Sequence, residues 1–365
     1  MQRILDPAQI EAFAERSIPR VRLPDPAVFG QRAGRLRSLS ANHSLREYLL
    51  LMAVLAEAQQ KQFDSLRSGL ATEGFAQQIG RQLELAQEHR MPVLQAAGWP
   101  RQDRWRHIVR ALCGSIVDSS PRVTIGPTEP GVSTAPAAPL GGARTATAAG
   151  GKLGATPDVA GHHSTSSDAA RGFPPAVYAL CDRIIAAPNV DLDAQADLLL
   201  ASRTDGVDGR AAPFIMAALQ VYWAAMASTL RESDVAQLDV ATVCPVCGTL
   251  PVASIVRSDK RSPQGYRYLH CGLCETEWHM VRIKCSNCLT TEGITYNAVE
   301  GGSEAVRAET CGKCHTYRKI LYQEKDTGVE PVADDLASLA LDLLMTEDGF
   351  HRGSGNPLLW QTSET

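Results

Sequence analysis

Apolar positions along most of the chain recur at helical spacing, and one block beginning near residue 241 breaks that rhythm. From Tyr48 to Phe63 the sequence is rich in Leu, Ala, Met and Gln, all good helix formers. Ahead of it, Ser44-Leu-Arg-Glu47 fits a capping box, in which serine and glutamate side chains satisfy amides at a helix start. Trp105, Ile108, Val109, Leu112 and Ile116 form one apolar stripe, joined by Cys113 as a buried thiol. Val177, Leu180, Cys181 and Ile184 share another face, and Asp191 to Ser202 reads as a short helix. Pro213 opens a stronger helix, where its missing amide costs nothing. The stripe that follows, Phe214, Ala218, Leu219, Tyr222, Trp223 and Met226, reads as core and not as a cofactor box. A last helix opens at Glu330-Pro331 with acids in its first turn, where they complement the helix dipole. Its expected apolar face is Leu336, Leu339, Ala340, Leu343 and Leu344, with Gly349 as the stop.

Two stretches depart from helical period. Residues 119–172 are dominated by Pro, Gly, Ala, Ser and Thr and contain no aromatic residue between Pro121 and Gly172. Such a segment buries too little apolar surface to offset its ordering entropy, so it reads as a flexible insertion, with His162 and His163 solvated. Residues 241–325 are turn-rich and β-leaning, with strands predicted at Leu250–Val256, Tyr266–Leu269, Gly293–Val299 and Tyr317–Tyr322 and turns at Gly265 and Gly301-Gly302. The expected organisation is a helical domain in two parts, 1–118 and 173–240, around the 119–172 insertion. Ribbons at 241–280 and 281–325 follow, then a helix and tail at 326–365. The fold class is α+β: a mostly helical N-terminal domain, two tandem rubredoxin-like or zinc-ribbon four-cysteine modules, and a C-terminal helix.

The block at 241–325 holds eight of the ten cysteines, all within 71 residues, as Cys244/Cys247, Cys271/Cys274, Cys285/Cys288 and Cys311/Cys314. Spacers of 23, 10 and 22 residues separate the pairs, so one unit recurs at an offset of about 40. A two-residue spacer lets both sulfurs of a knuckle grasp one ion, and a second knuckle returned by a hairpin completes a tetrahedral site. The spacing favours Cys244, Cys247, Cys271 and Cys274 around one ion and Cys285, Cys288, Cys311 and Cys314 around another. An interleaved cross-brace is the alternative. Disulfides would need an oxidising compartment, and a redox pair would need a βαβ setting and a single reactive site. His270, His279 and His315 flank the knuckles as supporting or surface groups. Zinc and iron both accept tetrahedral sulfur. Cys244-Pro-Val-Cys247-Gly248 looks like a rubredoxin knuckle, whereas the other pairs are followed by Glu275, Leu289 and His315.

Composition narrows the function. The chain has 365 residues, 44% hydrophobic and 21% charged, with net charge −4, which suits a globular protein of two or three domains. No apolar run reaches the length of a transmembrane helix, and the start Met1-Gln-Arg-Ile-Leu-Asp-Pro is unlike a signal peptide. The cysteine block carries 11 basic and 8 acidic residues; two four-thiolate sites at −2 each bring it to about −1. From Asp326 onward one basic residue faces eight acidic ones. That balance argues against a nucleic-acid partner. No phosphate loop, Rossmann fingerprint or nucleophile elbow occurs. Closed four-thiolate sites leave no position for substrate, so the expectation is a binding protein and not an enzyme. Trp278 and the exposed side of the last helix are the candidate contact surfaces, packing between the ribbons is the alternative for Trp278, and a homodimer is compatible with the sequence.

Several runs resemble the family of the formate dehydrogenase accessory protein FdhE. They are Cys244-Pro-Val-Cys-Gly248, Tyr268-Leu-His-Cys-Gly-Leu-Cys-Glu-Thr-Glu-Trp-His279 and Val281-Arg-Ile-Lys-Cys-Ser-Asn-Cys288. Glu309-Thr-Cys311, Lys319-Ile-Leu-Tyr-Gln-Glu-Lys-Asp326 and Glu330-Pro-Val-Ala-Asp-Asp-Leu-Ala-Ser-Leu339 continue the likeness. It covers 241–349 closely and the helical stretches more loosely, and the 119–172 insertion departs from the more compact family pattern. The resemblance implies a cytoplasmic accessory or chaperone protein needed for active formate dehydrogenase. Its implied partner is that enzyme's molybdenum- or tungsten-containing catalytic subunit, bound before or during export by the twin-arginine pathway. It also implies iron in rubredoxin-type sites, carried here by the eight matching cysteines. A rubredoxin-type electron carrier and a nucleic-acid-binding zinc ribbon protein are the competing readings.

Overall fold

The computed structural model describes residues 20–72, 74–119, 172–258 and 265–360. The expected insertion, with His162 and His163, lies outside them except for its end residues. The helices are α1 (Val28–Ser40), α2 (Arg46–Thr72), α3 (Phe75–Gln78), α4 (Gly80–His89), α5 (Arg104–Asp118), α6 (Pro175–Ala186), α7 (Asn189–Leu200) and α8 (Ala212–Ala227). Helix α2 opens at Arg46, one residue later than a Ser44 cap would place it. The turn before it is built by His43, whose Nδ1 accepts the Leu45 amide at 3.0 Å. Helix α5 buries its expected stripe together with Cys113, and α6 packs against it with Cys181 and Ile184 buried.

Helix α8 sits at the centre. The sequence marks one aromatic stripe, yet all sixteen residues are buried, because α2, α5 and α7 pack around it; a helix apolar all round is one enclosed by protein. Its Gln220 is satisfied in that interior. Gln220 donates to the Gly272 carbonyl at 2.8 Å and accepts from Gln59 of α2 at 2.9 Å, so a buried amide pair ties the helices to the cysteine block.

The strands are β1 (Val21–Arg22), β2 (Pro251–Arg257), β3 (Tyr266–Cys271), β4 (Glu277–His279), β5 (Ile294–Asn297), β6 (Val306–Cys311), β7 (Thr316–Tyr322) and β8 (His351–Arg352). Seven form one continuous sheet in the order β1-β4-β3-β2-β7-β6-β5, and β8 adds to β7. Each ribbon contributes a three-stranded antiparallel unit, and the seam between them is parallel, with Ser254, Ile255 and Val256 opposite Ile320, Leu321 and Tyr322. Gly265 closes the β2–β3 hairpin at φ +73°, where a Cβ would lie 2.7 Å from the Arg257 carbonyl oxygen, a position only glycine fills without strain.

The last helix differs from its expected form. It is two helices, α9 (Pro331–Ala337) and α10 (Leu339–Glu347), broken at Ser338, whose hydroxyl donates to the Asp334 and Asp335 carbonyls. All of α9 from Pro331 to Leu336 is buried, and in α10 Leu341 and Met345 are, while Leu343 and Leu344 are 68% and 41% exposed. The cause is electrostatic. Asp334 and Asp335 of α9 point inward to reach Arg35, and Lys319 with Arg352; the break at Ser338 resets the phase, so that in α10 Asp342 faces Tyr317 and Lys319 while Leu343 and Leu344 face outward. At the helix start, the Glu330 carboxylate accepts the Ala333 amide at 2.6 Å, and Asp334 accepts the Glu330 amide at 2.8 Å.

Candidate metal centres

In three of the four CxxC knuckles the first cysteine's carbonyl accepts the amide four places on. Gly248, Leu289 and His315 donate to Cys244, Cys285 and Cys311 at 2.8, 3.1 and 2.9 Å. The residue after each second cysteine is forced into the left-handed region: Gly248 at φ +79°, Glu275 at +61°, Leu289 at +63° and His315 at +52°. Only the first uses glycine, and the other three carry a steric cost of about 1–2 kcal/mol each.

The knuckles bring the cysteines together in the two sequential sets, and not in the interleaved one. Cys244, Cys247, Cys271 and Cys274 form one cluster, and Cys285, Cys288, Cys311 and Cys314 the other. Cross-knuckle Sγ–Sγ separations are 3.5 and 3.4 Å in the first and 3.7 Å for both pairs in the second. A zinc ion at about 2.3 Å from four sulfurs needs sulfurs about 3.8 Å apart. Both clusters therefore have the donor set and the spacing to hold a metal ion, and both donor sets suit zinc or iron.

A threonine stands two places after every second cysteine, at Thr249, Thr276, Thr290 and Thr316. Thr249 Oγ1 lies 3.2 Å from the sulfurs of both Cys247 and Cys271, Thr276 Oγ1 3.2 Å from Cys274, and Thr316 Oγ1 2.9 Å from Cys314. The carbonyls of Thr249, Thr276 and Thr290 accept the amides of Cys244, Cys271 and Cys285, closing each loop. Amides add to the sulfur shell, with Leu273 and Cys274 donating to Cys271, and Asn287 and Cys288 to Cys285. Burial pushes the Cys244 and Cys274 thiols well above their ordinary value. Cys271 is equally buried, but hydrogen bonds from its neighbours hold it well below. Burial also raises Cys314, yet the Thr316 hydroxyl and amide and the Asn287 side chain bring it down to about 6.

The surroundings of the two clusters differ. The first is wholly buried; in the second, Cys288 and Cys314 are part-exposed. Leu94 and Ala96 donate to the Val246 and Cys247 carbonyls at 2.8 and 2.9 Å, clamping the first knuckle under the α4–α5 loop. Beside Cys274, Glu275 enters a buried ion network. Arg32 of α1 donates to Glu275 at 2.6 Å and to Glu330 at 2.9 and 3.1 Å, and His270 lies 3.0 Å from Glu275 and 3.3 Å from Glu277. Glu277 pairs with Arg257 and Arg22. His270, Glu275 and Glu330 come within reach of a common point, but the Arg32 guanidinium already supplies the cation there.

None of the three histidines groups with the thiols. His270 lies in the ion network, His279 stands edge-on to Tyr266 and Tyr268, and His315 packs on Phe350. Trp278, a candidate contact residue on sequence, is 5% exposed and donates to the Ala241 carbonyl, so it is core. Sequence reasoning missed Arg32, which has no motif, and the threonines, which repeat as regularly as the cysteines.

Comparison with known proteins places this architecture. Models described as FdhE N-terminal, FdhE central domain and FdhE C-terminal domain match residues 18–125 with 166–239, 243–282 and 283–359. The Protein FdhE homolog of Cronobacter sakazakii is 35% identical over 363 residues, 98% of this chain and 97% of the relative. Protein FdhE of Salmonella paratyphi A is 36% identical over 334 residues, 91% of this chain and 88% of the relative. The crystal structure of the FdhE protein from Pseudomonas aeruginosa covers 94% of this chain and 100% of its own, at 29% identity and a TM-score of 0.69. With sequence matched almost end to end and the fold shared, this chain belongs to the FdhE family.

Proposed function

We propose that the protein is a cytoplasmic accessory factor in the maturation of formate dehydrogenase. It binds the catalytic subunit before or during twin-arginine export and catalyses no reaction itself. In this reading Cys244, Cys247, Cys271 and Cys274 hold one metal ion, and Cys285, Cys288, Cys311 and Cys314 hold a second. Iron is favoured by the family resemblance, and the sulfur spacing also suits zinc. The observation that carries the reading is the pair of four-cysteine clusters in a chain of the FdhE family. Four sulfurs close the coordination of each ion and leave no site for a substrate, so the ions act as staples that fix a binding surface. Among the described residues, no helix is long and apolar enough to cross a membrane.

The test is anaerobic co-purification of the tagged chain with the formate dehydrogenase catalytic subunit, with metal content measured on the same preparation. A complex and two ions per chain are expected. Absence of a complex with both proteins intact would refute the accessory role. Reversible bleaching of visible absorbance on reduction would move the reading toward a rubredoxin-type carrier.

A further inference from the structure

The two clusters share a donor set but not an environment. The first has all four sulfurs buried, its Val246 and Cys247 carbonyls bonded to Leu94 and Ala96, and Pro92 against Gly248. Its Gly272 carbonyl is held by Gln220 of the central helix α8. Opening that knuckle means unpacking the helical core. The second lies toward the β5 edge of the sheet, unpaired among the described residues, with Cys288 and Cys314 part-exposed. Its outer cover is the Asn287 side chain, 3.7 Å from Cys314 Sγ in an exposed contact. The segment leading into it exposes Val281 at 41% and Ile283 at 61%. Local opening is cheapest where few buried contacts must break, and ligand exchange at a closed four-sulfur site needs an incoming donor to reach the ion.

From this contrast we infer that the second site is the exchangeable one, taking up and yielding its ion to thiol or chelator donors that enter beside Cys288 and Cys314, while the first is a permanent staple. The exchange involves no change of oxidation state. An incoming donor replaces Cys314 or Cys288 on the ion, and the proton released by an incoming thiol is taken by the departing cysteine thiolate. The inference rests on the proposed assignment of the eight cysteines as ligands.

The experiment uses the full chain loaded with zinc and mixed with excess 4-(2-pyridylazo)resorcinol, a chromogenic chelator. Total zinc is measured first. With two ions bound, release is expected in two phases of one ion each, with rates at least ten-fold apart. Cys314→Ser removes the fast phase and leaves the slow one. In parallel, N-ethylmaleimide labelling of the wild-type chain during release, mapped by mass spectrometry, is expected at Cys288 and Cys314 before Cys244, Cys247, Cys271 and Cys274. This measurement keeps the test open if the variant does not fold. Two ions leaving in a single phase, or equally early labelling of the first four cysteines, would overturn the inference and leave the metal assignment standing. A stoichiometry below two would overturn that assignment and the inference with it.

Discussion

Arg32→Met is expected to destabilise the protein by about 3–5 kcal/mol, the usual cost of removing one partner from a buried ion pair. Arg32 is fully buried and holds two carboxylates, Glu275 at 2.6 Å and Glu330 at 2.9 Å. Burial disfavours its charge, but the two acids more than offset that and raise its pKa. Without the guanidinium, Glu275 keeps His270 at 3.0 Å and Glu330 keeps the Ala333 amide at 2.6 Å. Those remaining partners place the loss toward the lower end, about 3 kcal/mol. With a urea m-value of roughly 2–3 kcal/mol/M, the unfolding midpoint falls by about 1–1.5 M. Tryptophan fluorescence at saturating metal reads it directly, since Trp105, Trp223 and Trp278 are all buried. The triple variant Arg32→Met, Glu275→Gln, Glu330→Gln should recover most of the loss, because no buried charge is then left unpaired. An Arg32→Met variant within about 1 kcal/mol of the parent, the range of an exposed pair, or a triple variant no better than the single one, would refute the buried-pair account.

The buried face of α10 gives a second expectation: Leu341→Ala costs about 2–5 kcal/mol, whereas Leu343→Ala, at an exposed site, stays within about 0.5 kcal/mol; equal costs in urea titrations would contradict the observed face. A third concerns acid. Burial raises the Asp335 carboxyl, but Arg352 and Lys319 overcome this and hold it below its ordinary 3.8. A carboxyl depressed in the folded state stabilises fully above its unfolded value, and that contribution is lost as pH falls through the folded value. Below about pH 4 the parent's thermal midpoint should therefore fall more steeply than that of Asp335→Asn; both chains lose metal in acid, so the difference isolates Asp335, and parallel curves would remove the claim.

Legibility in the sequence followed the range of the physics involved. The CxxC knuckles are local chemistry at fixed spacing, and hairpin lengths favour grouping Cys244 with Cys271 and Cys285 with Cys311; the sequence leaves the interleaved grouping open, and the sulfur positions exclude it. Helix α5 shows its stripe because one face meets protein and the other water. Strands β4 and β6 were not apparent: Glu277-Trp-His279 is too short to show alternation, and Val306–Cys311 carries Arg307 and Glu309 inside a buried sheet. Arg267 accounts for one of these, because its buried guanidinium pairs with Glu309 at 2.7 Å. The last helix is hard to read for the same reason, since a buried acid looks like a surface residue until its partner is placed. Arg32 lies 243 positions from Glu275, and no periodicity reports a partner so distant.

The sheet order β4-β3-β2 followed by β7-β6-β5 sets equivalent strands of the two ribbons in the same sequence. The ribbons are thus related by a shift along the sheet and not by a closing rotation. Such head-to-tail contacts have no natural end: the free side of β5 is the counterpart of the side of β2 that receives β7, and the side of β4 is the counterpart of the side that β7 presents. Copies of the chain joined β4 to β5 would grow into a filament. Val21 and Arg22, paired with Trp278 and Glu277, occupy the β4 edge, so a two-residue strand from the far end of the sequence acts as a terminator for an otherwise polymerisable repeat.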